Sequence, residues 1–303
     1  MKTKNIKPLI EQVIQPFLDK LSKRDEVLGI VLLGGLGYRD FLDEYSDIDL
    51  SVFTTRKGKT KFPLPFEFHY KHKNLRLEFN IHQLVFEDEY EGEKWNTSKI
   101  EAYSKGKVIY DTENKITNLI KEKTVFDEEA AFYRLIWIIQ QYKWRGQIHA
   151  IRAYKRGYPE ASHDLLNNCS DLLVEAVYLL NKQYVPHKKW GFVFLDKLPN
   201  NYQLLEKFKK ALLVKDYSLR DIKRRLKLLD EIYEIIIAKI YDKYPSFPLN
   251  PYEYYYRNFV QINKETSIDR AFSELVFDNN LTEEDKDEVF GNMCFNIIDS
   301  SET

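Results

Sequence analysis

Apolar residues recur along this chain in two rhythms, and the change from one to the other divides it. Near the start, Ile10, Val13, Ile14, Phe17, Leu18 and Leu21 fall at helical spacing and predict a helix over residues 7–21. The compact apolar run 27–33 reads as a buried strand, and Gly34-Gly35 after it as a tight turn. Residues 47–53 read as a second strand, and the basic stretch 54–61 as a surface loop. Two further strands are expected over 66–70 and 75–84, joined near Lys73-Asn74 as a hairpin. A short edge strand over 107–110 and a helix over 115–121 follow.

Beyond about residue 124 long helical patterns take over. Residues 130–154 form one, with a break expected near Gly146. Residues 161–180 form the clearest, with Leu165, Cys169, Leu172, Leu173, Ala176, Val177 and Leu180 in a single apolar stripe. Residues 219–244 form another, carried by Ile222, Leu226, Leu229, Tyr233, Ile236 and Ile240. The Pro- and Tyr-rich segment 245–256 reads as an ordered loop. The expected class is α+β: a short mixed sheet flanked by helices over residues 1–123, an all-α helical bundle over 124–270, and a tail over 271–303.

Composition narrows the function classes. With 44% hydrophobic and 31% charged residues the chain is neither disordered nor fibrous. No apolar run approaches the ~18 residues of a membrane span, and the N-terminus lacks a signal-peptide core, so a cytoplasmic protein without membrane contact is expected. Cys169 and Cys294 lie far apart, which argues against a disulfide framework or a zinc site. The net charge of -1 conceals a tail of nine acidic residues and one lysine, leaving about +7 on residues 1–270. That spread-out excess suits anionic small molecules such as nucleotides and leaves room for a short RNA contact.

The chemistry concentrates between Gly34 and Leu50. On a strand, Asp47 and Asp49 point the same way, about 6–7 Å apart along the chain, while Ile48 and Leu50 point into the core. Two carboxylates so placed are costly unless a cation neutralises them. Mg²⁺ suits the pair, because it takes a few carboxylates together with water and phosphate oxygens. Gly34 and Gly35 let backbone N–H groups approach a phosphate. Alternation over residues 75–82 puts Leu75, Leu77, Phe79 and Ile81 on one face and Asn74, Arg76, Glu78, Asn80 and His82 on the other. Glu78 thereby offers a third carboxylate on a neighbouring strand. Two Mg²⁺ ions held this way would bind a triphosphate and activate an acceptor hydroxyl for in-line attack on the α-phosphorus.

Gly34-Gly35, eleven intervening residues and Asp47-Ile48-Asp49 together resemble the signature of the DNA polymerase β-type nucleotidyltransferases. The resemblance implies that Asp47 and Asp49 are metal ligands and that a later strand carries a third carboxylate, a position Glu78 fits. The two-domain layout is similar to the aminoglycoside and lincosamide nucleotidyltransferases, in which a helical C-terminal domain completes the acceptor pocket. The segment 179–190, with Asn181, Tyr184, Pro186, His187, Lys188, Lys189 and Trp190, resembles a motif in helical domains of related bacterial proteins. One departure stands out: many members place Ser after the first Gly, and here that position is Gly35, so a hydroxyl contact to phosphate is lost.

The resemblance implies transfer of a nucleoside monophosphate, AMP from ATP first among the candidates, to a hydroxyl of an aminoglycoside-like small molecule. A protein or RNA acceptor, and a non-catalytic nucleotide-binding protein, are the alternatives, and a homodimer stays open. On the helix 161–180, Asp164, Asn168, Asp171 and Glu175 form a polar stripe. It reads either as a solvent face or as a wall of the acceptor pocket, with Glu175 or Asp171 as general base. Lys188 and Lys189 read either as triphosphate contacts or as a basic surface turn, and the active site is expected between the two domains. His163 near Cys169 is no catalytic pair, because Cys169 lies on the apolar stripe and reads as a buried structural thiol.

Overall fold

The computed structural model describes residues 5–38, 42–43, 45–72, 75–92, 94–251 and 254. The chain divides into two compact units, Met1–Phe126 with Tyr184–Pro186, and Asp127–Gln183 with His187–Thr303. The acidic tail, the tyrosine-rich segment beyond Tyr254 and the expected turn at Lys73-Asn74 lie outside the described residues.

In the first unit the order is α1 (Lys7–Ser22), β1 (Val27–Leu32), α2 (Gly34–Tyr38), β2 (Ile48–Thr54), α3 (Arg56–Lys61), β3 (Glu67–His72), β4 (Leu75–Val85), α4 (Phe86–Glu91), α5 (Thr97–Ser104), β5 (Lys107–Asp111) and α6 (Lys115–Lys123). The five strands form one sheet in the order β3-β4-β2-β1-β5. It is mixed: β2 and β4 run parallel, and every other neighbouring pair is antiparallel.

Strand alternation explains why both faces are covered. Ile48, Leu50 and Val52 of β2 and Leu77, Phe79 and Ile81 of β4 pack with Ile10, Ile14 and Leu18 of α1. Each such side chain contributes about 1.5–3 kcal/mol on leaving water. Val31, Leu33 and Phe53 face the other way, against Trp95, Ile100, Tyr103, Ile116 and Leu119. Tyr184 joins this second layer and sets its ring 5.1 Å from that of Phe126.

Two local expectations are corrected here. The basic stretch after β2 is the helix α3, because the Thr55 side chain accepts from the Gly58 backbone N–H at 2.9 Å and so satisfies a free donor of the first turn. Gly34-Gly35 is no separate tight turn but opens the five-residue α2, with Gly34 in the left-handed region.

The second unit is helical: α7 (Glu128–Tyr142), α8 (Ile151–Lys155), α9 (Pro159–Leu180), α10 (Lys188–Leu195), α11 (Leu205–Leu212) and α12 (Leu219–Lys243). Between α7 and α8 the chain is wound as a π-helix over Lys143–Ala150, so the break expected near Gly146 is a widened stretch in continuous helix. Gly146 stands at a crowded point, where a Cβ would lie 3.2 Å from Cys169 Sγ and 3.7 Å from Leu226. The stripe of α9 is buried as its spacing requires, with Cys169, Leu173, Ala176 and Val177 fully enclosed. In α12 the apolar positions at Ile222, Leu229, Ile236 and Ile240 are joined inside by Arg225, which is wholly buried. Its guanidinium donates to Ala211 O at 2.6 Å, Asn167 Oδ1 at 2.6 Å and His163 Nδ1 at 2.7 Å.

Candidate active site

The site begins where β1 runs out. The backbone N–H of Leu33 donates to Asp49 O at 2.9 Å, which extends the β1–β2 ladder by one step and delivers Gly34 beside the Asp49 side chain. Gly34 has φ +51°, and a Cβ there would stand 2.2 Å from Asp49 Oδ2. The carboxylate therefore occupies the space a side chain at residue 34 would need. Glycine is required twice, once for the backbone angle and once for the close approach.

Register fixes the other side. In the parallel β2–β4 pair Asp49 stands beside Asn80, and Asn80 Nδ2 donates to Asp49 Oδ1 at 3.3 Å. Ile48 pairs with Phe79, both buried against α1. Asp47 immediately precedes β2 and is half-buried; one further step of the same ladder would bring it opposite Glu78. Glu78 is exposed, and by alternation it shares a sheet face with Asn80 and Asp49. On β3, His69 is the partner of Glu78 and Glu67 the partner of Asn80. The face therefore carries a row Asp49, Asn80, Glu67, with Glu78 and His69 alongside.

Farther along β2 the same face is roofed. The hydroxyl of Ser51 lies 2.5 Å from that of Tyr103, and the Phe53 and Tyr103 rings meet edge to face at 6.1 Å. Burial pushes the Tyr103 hydroxyl well above its ordinary pKa, which keeps it a neutral hydrogen-bonding partner. Asp49 is the half-buried position of β2, whose other residues are buried.

Asp49 and Glu78 thus share one face of the sheet, and Asp47 immediately precedes β2 at the same end. As placed, they do not close into a cage: among the described residues no group of three or more His, Cys, Asp or Glu side chains is disposed to hold a metal ion. The residues fit a divalent cation in a more limited way. Asp49 Oδ2 is seated in the space over Gly34, and oxygen donors on adjacent strands are the ligands a hard cation takes. A groove of about 560 Å³ lined by Glu11, Gln15, Asp19, Lys107 and Tyr110 lies elsewhere, between α1 and β5.

The candidates of the second unit are all engaged in ion pairs or ring contacts. Both oxygens of Glu175 are held by Arg134, from Nε at 2.7 Å and from Nη2 at 2.8 Å, and the same guanidinium lies 4.0 Å from the centre of the Trp137 ring. Lys188 Nζ lies 2.6 Å from Asp171 Oδ2, and this hydrogen bond raises the lysine pKa. Lys189 sits 5.5 Å from the centre of the Trp190 ring. Cys169 is enclosed, its thiol pushed up to about 12 by burial, so it is no nucleophile. His163 is tied to Arg225 and to Asp216 O at 3.1 Å.

Asn80 is the site residue that pattern reading did not single out. Its signal was present, since alternation placed it on the polar face with Glu78. The step from that face to Asp49 needs the β2–β4 register, which no local pattern carries.

Residues 93–191 match the family described as a domain of unknown function (DUF4037), a third of the chain spanning parts of both units. Among solved structures, the chain is similar to a nucleotidyltransferase-like protein from Exiguobacterium sibiricum, at 16% identity over 77% of each chain and with a TM-score of 0.42. No curated protein matches. Among the described residues no helix is long and apolar enough to cross a membrane.

Proposed function

We propose that this chain is a Mg²⁺-dependent nucleotidyltransferase that moves AMP from ATP to a hydroxyl of a small, aminoglycoside-like acceptor. The observation that carries the reading is the Asp49 carboxylate seated against a left-handed Gly34 at the end of β1, with Glu78 on the same face and Asp47 immediately before β2. An acidic strand end beside a backbone stripped of side chains is what a metal-bound triphosphate needs. The carboxylates take the cation, and the absence of a side chain at Gly35 lets phosphate oxygens approach the backbone.

Asp47, Asp49 and Glu78 would hold the ion or ions. When bound, Mg²⁺ supplies neutralisation of the triphosphate and lowers the pKa of an acceptor hydroxyl. The chain's own contribution is positioning: Gly34 and Asn80 orient Asp49, and buried Ile48 and Leu50 lock the strand from which the aspartates project. Within the second unit, the carboxylates of Asp171 and Glu175 would suit a cationic ligand, which would compete with Lys188 and Arg134 for them.

The test is incubation with Mg²⁺ and labelled ATP, GTP, CTP or UTP, together with pools of aminoglycosides, lincosamides, proteins and tRNA. Pyrophosphate release that depends on an aminoglycoside, runs best with ATP and disappears in Asp47→Asn and Asp49→Asn is the expected result. Nucleotide binding with no turnover on any acceptor would overturn it in favour of a binding protein.

A further inference from the structure

We infer that Asn80 is the positioning residue of the carboxylate site: its side-chain amide holds Asp49 in the orientation that receives a cation, and its neutrality keeps the row of acids on this face from repelling itself apart. The inference rests on the reading of Asp49 as a metal ligand, and its structural half stands without it.

Three observations converge. Asn80 Nδ2 donates to Asp49 Oδ1 at 3.3 Å, while Asp49 Oδ2 fills the space above Gly34, so the two oxygens have separate neighbours on opposite sides. The parallel register sets Asp49 and Asn80 side by side, with Ile48–Phe79 and Leu50–Ile81 buried on either side of them. The pairing therefore cannot slip by one residue without turning apolar side chains to water. On its other flank Asn80 is registered with Glu67 of β3, and Glu78, two residues away on β4, shares the face. An acid at position 80 would stand between Asp49 and Glu67 with like charge on both sides. An amide of the same size instead offers a donor to one neighbour and adds no charge.

Groups that orient a ligating carboxylate typically carry a 10–100-fold effect on metal affinity when removed. The experiment is a Mn²⁺ titration followed by the electron paramagnetic resonance of free Mn²⁺, on the full chain and on its Asn80→Ala, Asn80→Asp and Asp49→Asn variants. A ¹⁵N spectrum of the side-chain amides is taken on the metal-free parent and on its Asp49→Ala and Glu78→Ala variants. The expected results are three. Asn80→Ala weakens Mn²⁺ binding about 10–100-fold with the fold intact. Asn80→Asp lowers the unfolding midpoint without metal and recovers it when Mn²⁺ is added. The Asn80 amide resonances of the metal-free protein shift in Asp49→Ala but not in Glu78→Ala. Unchanged amide resonances in Asp49→Ala would overturn the inference, whatever the metal data show. Mn²⁺ affinity equal in Asn80→Ala and the parent, with Asp49→Asn abolishing binding, would also overturn it and leave the proposed function standing. No Mn²⁺ binding by the parent, with the amide shift present, would instead sink the metal reading and keep the Asn80–Asp49 contact.

Discussion

Replacing Gly34 by alanine tests the geometry of the site without touching a charge. Two costs add. An alanine held at φ +51° costs about 1–2 kcal/mol relative to glycine. Its Cβ would also stand 2.2 Å from Asp49 Oδ2, so the carboxylate or the backbone must move, and forced crowding of this kind costs about 1–3 kcal/mol. The first unit should therefore lose about 2–5 kcal/mol, read as a drop in urea midpoint at constant slope. The two terms separate in a double-mutant cycle. In an Asp49→Ala background the Oδ2 and Cγ atoms are gone, and the remaining Asp49 Cβ position lies at an ordinary 3.6 Å. Gly34→Ala should then cost only the backbone term, and the coupling between the two sites should equal the crowding term of about 1–3 kcal/mol. A loss below ~0.5 kcal/mol in the single variant, or a coupling indistinguishable from zero, would refute the placement of Asp49 over Gly34.

Three further outcomes are expected. Burial, and then Arg225, holds the His163 pKa below its ordinary value, so the unfolded chain takes up the proton first. Stability is complete above about pH 6.5 and falls as pH drops through that value, by up to about 1.4 kcal/mol per unit for each such group. His149 is lowered in the same sense by burial and by Arg152 and Arg156, so urea midpoints from pH 7.5 to 5.5 should fall less steeply in His163→Gln than in the parent, and an undiminished slope would count against the buried contact. Arg225→Ala removes the donor to three buried acceptors and should cost about 3 kcal/mol or more, against which a melting curve matching the parent would speak. Glu175→Gln breaks an Arg134 pair that is partly exposed and should cost under about 1 kcal/mol, so loss of acceptor-dependent turnover without loss of stability would mark Glu175 as functional.

Much of the scaffold was legible because its periods are strong. The alternation of Leu77, Phe79 and Ile81 against Glu78 and Asn80 is a strand buried on one side, and the Cys169–Leu173–Val177 stripe marks a helix that is enclosed nearly all round over its last turns. What escaped depends on single contacts or on distant pairing. The α3 helix hangs on one threonine cap within a lysine-rich stretch whose composition reads as loop. The π-winding around Gly146 leaves the helical rhythm nearly intact, so the pattern suggested a break where the chain merely widens. Arg225 is charged, and its place inside α12 follows from acceptors on α9 and α11 that no local window contains. Tyr184 and Pro186 read with the helices around them, yet they belong to the first unit, where Tyr184 fills a gap beside Phe126.

The parallel pairing of β2 with β4 has a kinetic consequence. Asp49 and Asn80 are 31 positions apart, and the chain between them carries α3 and β3. Closing so large a loop is entropically unfavourable and is compensated only when the central ladder zips. Asp49 and Asn80 meet only when Ile48–Phe79 and Leu50–Ile81 pair, so the carboxylate site and the apolar layer beneath it form in the same step. A change that shifts this register would thus undo the core contact and the site together.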